Sequence, residues 1–321
     1  NEPGRFTALI GYEWTASPNG RHWHRNVIFR SELVPERPFD YITYPSIDRL
    51  WTALAEACRP EEGCDAVAIP HNINWTDGGT FDVENDSREV AALRSRYERL
   101  TEMHQEKGNS ECLPETHDAD QSDCGFELVT VNGAKVRMLG PAEDPVAEWR
   151  AMRSGYYRTL LSRGLVEYER TRLNPLQLGA IGSTDGHFAA AGFTEESSFP
   201  GGVTAIWLGP EATLANPLYN PGGLVAVWAE ANTRAGVFDA LRDRRAYATS
   251  GTRIRLRFGT TGPNACSADE ISFHTRMGGT AGASELTFTV QVAMDRTPLA
   301  AVDIVKGCLL YTSPSPRDQR E

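Results

Sequence analysis

Short apolar runs closed by Gly, Pro or Asn alternate along the chain with longer segments whose apolar positions recur every three or four residues. The short runs predict strands at residues 6–12, 26–30, 66–70, 99–103 and 177–183, and the longer segments predict helices at 46–58, 87–97 and 144–163. In the last helix Val146, Trp149, Met152, Tyr156 and Leu160 share one face and are expected in the core. Strands alternating with helices argue for βα units on a mainly parallel sheet. Beyond residue 221 the pattern changes. A helix opening near Thr233 within 228–245 precedes a strand at 246–250, and alternating stretches follow at 253–258, 271–275, 285–294 and 301–305 over Gly-rich turns. These predict a small antiparallel β appendage.

Composition narrows the classes. The 321 residues are 40% hydrophobic and carry a net charge of −11. Such acidity argues against binding nucleic acid through a broad basic face. No apolar stretch reaches the roughly 20 residues that span a bilayer, so a soluble protein is expected. The opening Asn1-Glu2-Pro3-Gly4 has neither Met nor a leader, and an upstream segment with a signal peptide is expected to be missing. At the other end, residues 308–321 follow a strand-like stretch with no turn logic between, and read like one frame of a sequencing adapter; they are expected to be a non-native tail.

Without that tail the cysteines are Cys58, Cys64, Cys112, Cys124 and Cys266. Cys58 with Cys64, and Cys112 with Cys124, close short loops at spacings unlike a zinc or redox Cys-x-x-Cys. Two disulfides are expected, with Cys266 left over, and therefore a periplasmic or secreted location.

Histidines and carboxylates gather beside the predicted strands. Glu13 ends the first strand in Gly11-Tyr12-Glu13-Trp14. His71 ends the third in Ile69-Pro70-His71-Asn72. Asp185 and His187 end another in Gly182-Ser183-Thr184-Asp185-Gly186-His187, where alternate residues of an extended segment point the same way. His22 and His24 have the same spacing but precede their strand. Imidazole and carboxylate suit zinc, manganese or iron, and an open position on such an ion holds an acidified water.

These segments, together with His24-Arg25-Asn26-Val27-Ile28-Phe29, Lys107-Gly108-Asn109-Ser110-Glu111-Cys112 and Tyr247-Ala248-Thr249-Ser250-Gly251, resemble in order the domain of unknown function 3604 family. That family is placed in the PHP (polymerase and histidinol phosphatase) superfamily of metal-dependent phosphoesterases. The resemblance implies a distorted (β/α)7 barrel over residues 1–251, here lacking its first strand, followed by a C-terminal β appendage over 252–307. It implies two or three divalent ions in the complete protein, with Glu13 as a bridging ligand and His24, His71, Asp185 and His187 as the others. The superfamily's opening His-x-His strand has no counterpart before Phe6.

The leading expectation is a phosphoesterase that acts on a small phosphate ester through a metal-bound hydroxide. Asp185 is the proton acceptor, Arg25 and Lys107 offset phosphate charge, and Glu111 supports a ligand imidazole. The alternatives are hydrolysis of an amide, ester or phosphonate by the same metals, or a non-catalytic extracytoplasmic metal- or calcium-binding protein. The acidic run from Asp118 to Asp123 fits calcium poorly, because an EF-hand needs Gly sixth and Glu twelfth where this chain has Asp123 and Val129.

Overall fold

The computed structural model describes residues 1–114, 124–129, 144–199, 202, 220–262, 271–282 and 286–309. Cys266 and the Asp118–Asp123 run, like nearly all of the 308–321 tail, lie outside them.

Strands β1 (Ile10–Trp14), β2 (Arg25–Phe29) and β3 (Ala66–Pro70) form one sheet, and both of its pairings are antiparallel. The segment from 15 to 24 holds only a 3-10 turn, Pro18–Gly20, which reverses the chain without a crossover helix. β3 is buried at every position, as its continuous apolar run requires. Helix α1 (Ile47–Ala57) follows β2, presenting Ile47, Leu50, Trp51 and Leu54 to a core with Trp14, Val27 and Phe29. It stops at Cys58, where Pro60 follows and a disulfide to Cys64 folds the chain back toward β3.

Helix α2 (Arg88–Tyr97) opens on Ser87, whose Oγ accepts from the Val90 amide at 3.3 Å. It leads into β4 (Leu100–Gln105), which turns through β5 (Gly108–Asn109). Beside β4 runs β6 (Gly179–Gly182), its parallel neighbour. The crossover between them contains α3 (Pro145–Arg153) and α4 (Tyr157–Thr171). The sequence predicts one helix across this region, and the break has a local cause. A Cβ at Gly155 would lie 2.8 Å from the Ile73 carbonyl oxygen, so the chain turns where the absence of a side chain lets the two backbones meet. Trp149, Met152, Tyr156 and Leu160 are buried as expected, whereas Val146 is exposed.

The last body elements are β7 (Leu224–Val227), helix α5 (Arg234–Arg242) and β8 (Ala246–Thr249), which pairs antiparallel with β7. Thr233 caps α5 by accepting from the Gly236 amide at 3.1 Å. Val67, Ile69, Leu100, Ile181, Phe238, Leu241 and Ala246 build a second core across β3, β4, β6, α5 and β8. β9 (Arg255–Thr261) and β10 (Thr287–Ala293) make an antiparallel ribbon. Residues 271–275 contribute only a bridge from Thr275 to Thr260, and 301–305 is exposed and irregular rather than a strand.

The barrel expectation is therefore corrected. The described strands form four small separate sheets with no closed (β/α)7 barrel among them, and β4–β6 is the parallel pair among otherwise antiparallel pairings. Hydrophobic runs locate strands but do not fix the direction of their neighbours. Of the four alternating stretches expected beyond residue 252, those near 253–258 and 285–294 pair as the β9–β10 ribbon.

Candidate metal centre

Antiparallel register brings the end of β1, the start of β2 and the end of β3 to one sheet edge, with Trp14 opposite Arg25 and Arg25 opposite Pro70. The pairing continues one step further, the His71 amide donating to the His24 carbonyl at 3.3 Å. His24 thus reaches the same edge as Glu13 and His71 because β2 runs the opposite way, although it precedes its strand. Glu13 Oε1 lies 2.8 Å from His24 Nδ1 and 3.5 Å from His71 Nε2. The three residues offer ligand atoms within 4.8 Å of one another.

The electrostatics favour a cation. Burial would raise the Glu13 carboxyl, but its bonds to His24 and His71 and their charges override this and hold it far below the usual range. Burial pulls His71 down, yet Glu13 beside it, with Glu102 and Asp185, raises it on balance. His71 is buried and its Nδ1 has no hydrogen-bond partner among the described residues, so this imidazole has unused ligand capacity. His24 Nε2 is 3.1 Å from Ser17 Oγ, a contact that fixes the ring while Nδ1 faces the acid. Glu13 keeps 30% of its side chain exposed, which leaves a route for an ion or ligand. The donor set fits a divalent ion of the zinc, manganese or iron type.

A buried polar chain, which sequence reading missed, backs the triad. Asn72, left-handed at φ 58°, places Nδ2 3.4 Å from His24 Nδ1 and accepts from Gln105 Nε2 at 2.7 Å. Gln105 Nε2 also donates to Glu102 at 2.9 Å, and the opposite Glu102 oxygen accepts from Ser183 Oγ. Burial raises the Glu102 carboxyl, with Asp185 adding to the effect. His104, on the same strand, places Nε2 2.9 Å from a Glu127 carboxylate oxygen. The period of two along β4 relates Glu102 to His104 in the sequence, but neither belongs to a motif of recognisable spacing.

Asp185 follows β6 with a left-handed backbone, φ 51°, and forms a close ion pair with Lys107. Burial raises its carboxyl, but Lys107 first and His71 next bring it below the ordinary value. Asp185 is thus electrically coupled to the triad without belonging to it. Asn74 Nδ2 fixes the Lys107 segment by donating to its carbonyl at 3.0 Å. His187 points outward, exposed, with Nδ1 2.9 Å from the Asp185 carbonyl, and the structure does not bring it to the other histidines. His22 stacks on His24 at 4.8 Å, and burial, together with the charge of His24, lowers it to about 4.

Two expected roles are corrected by geometry. Arg25 is fully buried, donating to Glu98 at 2.6 Å and to the Trp23 and Thr80 carbonyls at 2.8 and 3.3 Å. Alternation along β2 sends Arg25 to the core when His24 faces the edge, so it cannot meet substrate. Glu111 pairs with Arg158 at 2.7 and 3.0 Å and supports α4 rather than a ligand imidazole.

The two expected disulfides, Cys58–Cys64 and Cys112–Cys124, are both present and fit an extracytoplasmic protein. Among the described residues no helix is long and apolar enough to cross a membrane. No curated protein and no solved structure matches the chain. One family, described as protein of unknown function (DUF3604), matches residues 1–312, and the chain belongs to the DUF3604 family.

Proposed function

We propose that this protein is a periplasmic or secreted metal-dependent hydrolase of phosphate esters, related in chemistry to the PHP superfamily. The observation that carries the reading is the convergence of Glu13, His24 and His71 within 4.8 Å, beside the Asp185–Lys107 pair. Glu13, His24 and His71 would hold the ion. A divalent ion there supplies Lewis-acid polarisation of a phosphoryl oxygen and lowers the pKa of water.

The chain's own groups do the rest. Asp185, kept ionised by Lys107, is the proton acceptor for an attacking water. Lys107, held beside Asp185, also offsets the charge of a bound phosphate. Ser17 and Asn72 hold the His24 ring in place, and buried His71 resists reorientation because it lies in the floor of the site.

The test is hydrolysis of p-nitrophenyl phosphate and bis-p-nitrophenyl phosphate, set against p-nitrophenyl acetate and an anilide, after loading with zinc, manganese or iron. Phosphate-ester turnover lost in His71→Ala and Asp185→Asn supports the proposal. Turnover of only the acetate or anilide favours the other metal hydrolases, and no turnover of any substrate with bound metal refutes catalysis of these bonds.

A further inference from the structure

Two adjoining cavities lie where the β9–β10 ribbon meets the body. The larger, about 540 Å³, is lined among others by Trp228, Arg245, Arg257, Phe258, Phe273 and Arg276. The smaller, about 370 Å³, shares Met277 with it and reaches Arg244 and Tyr247. Both volumes fall in the range of small-molecule sites. They belong to the opposite end of β7 and β8 from the metal edge. Gly223, just before β7, donates to the Ser183 carbonyl at 2.7 Å beside Asp185, whereas Trp228, just after it, donates to the Arg245 carbonyl at 2.8 Å. The five residue steps from Gly223 to Trp228, at roughly 3.3 Å each, separate the two ends by about 16 Å.

The charge in this seam runs against the chain. In a protein of net charge −11, four arginines gather here against two acids among the described residues. Arg245 and Arg276 share one Glu230 oxygen at 2.8 and 3.2 Å, and Arg245 also meets Asp243 at 3.6 Å. Arg257 lies over the Trp228 ring at 4.3 Å, and its guanidinium has no hydrogen bond or ion pair among the described residues. Arg245 Nε and Arg244 Nη1 are buried without a hydrogen-bond partner, and Arg244 is only 9% exposed. Buried donors of this kind are costly unless something accepts from them. Beside them the larger cavity is lined by the aromatic side chains of Trp228 and Phe273, while Phe258, next to Arg257 on β9, stacks on Phe288 at 5.9 Å.

We propose that this seam is a second ligand site, for a small aromatic carboxylate. The carboxylate matches the guanidinium fork, with Arg257 and Arg245 as donors, and the ring packs against the aromatic wall. Trp228 positions Arg257 through the cation–π contact and is itself fixed by its indole N–H, which donates to the Leu256 carbonyl at 2.9 Å. The site ties the ribbon to the body, because Arg257 and Phe258 belong to β9 while Trp228 and Arg245 flank β7 and β8.

The test is calorimetric titration of the whole protein with 2-naphthoate, with 2-naphthol and acetate as arms lacking the charge or the ring. Saturable 2-naphthoate binding is expected, at least tenfold tighter than either control, weakened at least tenfold by Arg257→Met and unchanged by His71→Ala. The last result separates this site from the metal centre, since His71→Ala should abolish metal binding alone. Arg257→Lys, which keeps charge but loses the fork, should give intermediate weakening and serves if Arg257→Met does not fold. Absence of saturable 2-naphthoate binding, equal binding of 2-naphthol, or an unchanged constant in both Arg257 variants would overturn the proposal.

Discussion

Replacing Arg25 with Met tests whether this residue is a core strut or a substrate contact. Arg25 gives three hydrogen bonds in a fully buried setting, and Glu98, its carboxylate partner, is also buried. The substitution keeps much of the volume but leaves Glu98 with one cation, Arg94, which donates to it at 3.2 Å. Breaking a buried ion pair costs about 3–5 kcal/mol, and the surviving Arg94 bond places this case near the lower end, about 3 kcal/mol. With a urea slope of about 3 kcal/mol/M for a chain of this size, the midpoint should fall by roughly 1 M. Tryptophan fluorescence reports it directly, because Trp14 lies 5.8 Å from the Arg25 guanidinium. Adding Glu98→Met should recover part of the loss, as a coupled pair requires. A midpoint unchanged by Arg25→Met, together with a raised KM for a phosphate substrate, would refute the reasoning.

Other consequences follow from the same geometry. Opening the Cys58–Cys64 loop with Cys58→Ala/Cys64→Ala should cost about 2 kcal/mol through the freed unfolded chain, seen as a Tm lowered by about 3 °C. His22 has its folded pKa lowered to about 4 from 6.5, so the unfolded chain binds the extra proton first. Its neutral burial therefore favours the fold above pH 6.5, and on the order of 3 kcal/mol is lost as pH falls from 6.5 toward 4. Urea titrations of the metal-free protein across that range should show a shallower pH dependence in His22→Phe, and equal slopes would contradict the assignment. Removing the cation in Lys107→Met should raise the Asp185 carboxyl, because burial then acts without its main opponent. The acidic limb of the activity profile should move to higher pH, and an unmoved limb would separate Asp185 from proton transfer.

Much of this was legible from local pattern. The unbroken apolar run of β3, the amphipathic faces of α1 and α2, and the two short cysteine loops each depend on neighbours close in sequence. The barrel failed because strand direction depends on pairing between distant segments, which β1, β2 and β3 resolve as antiparallel. That same pairing makes sense of His24, whose place before its strand is a flaw only if all strands run one way. Arg25 could have been assigned to the core from alternation alone once His24 was taken as a ligand. Glu102, Asn72 and Gln105 were not readable, because their chemistry comes from burial and mutual hydrogen bonds rather than from spacing. The break between α3 and α4 was equally hidden, since Gly155 looks tolerable in a helix until the Ile73 carbonyl is placed against it.

The central claim is that Glu13, His24 and His71 form a divalent-metal centre. Anomalous diffraction at the zinc edge, from crystals grown with one equivalent of zinc, tests it most directly. The account predicts a single strong peak within about 2.0–2.2 Å of a Glu13 oxygen and a nitrogen from each of His24 and His71. A zinc peak lying elsewhere, or no peak at this edge of β1, β2 and β3, would contradict it.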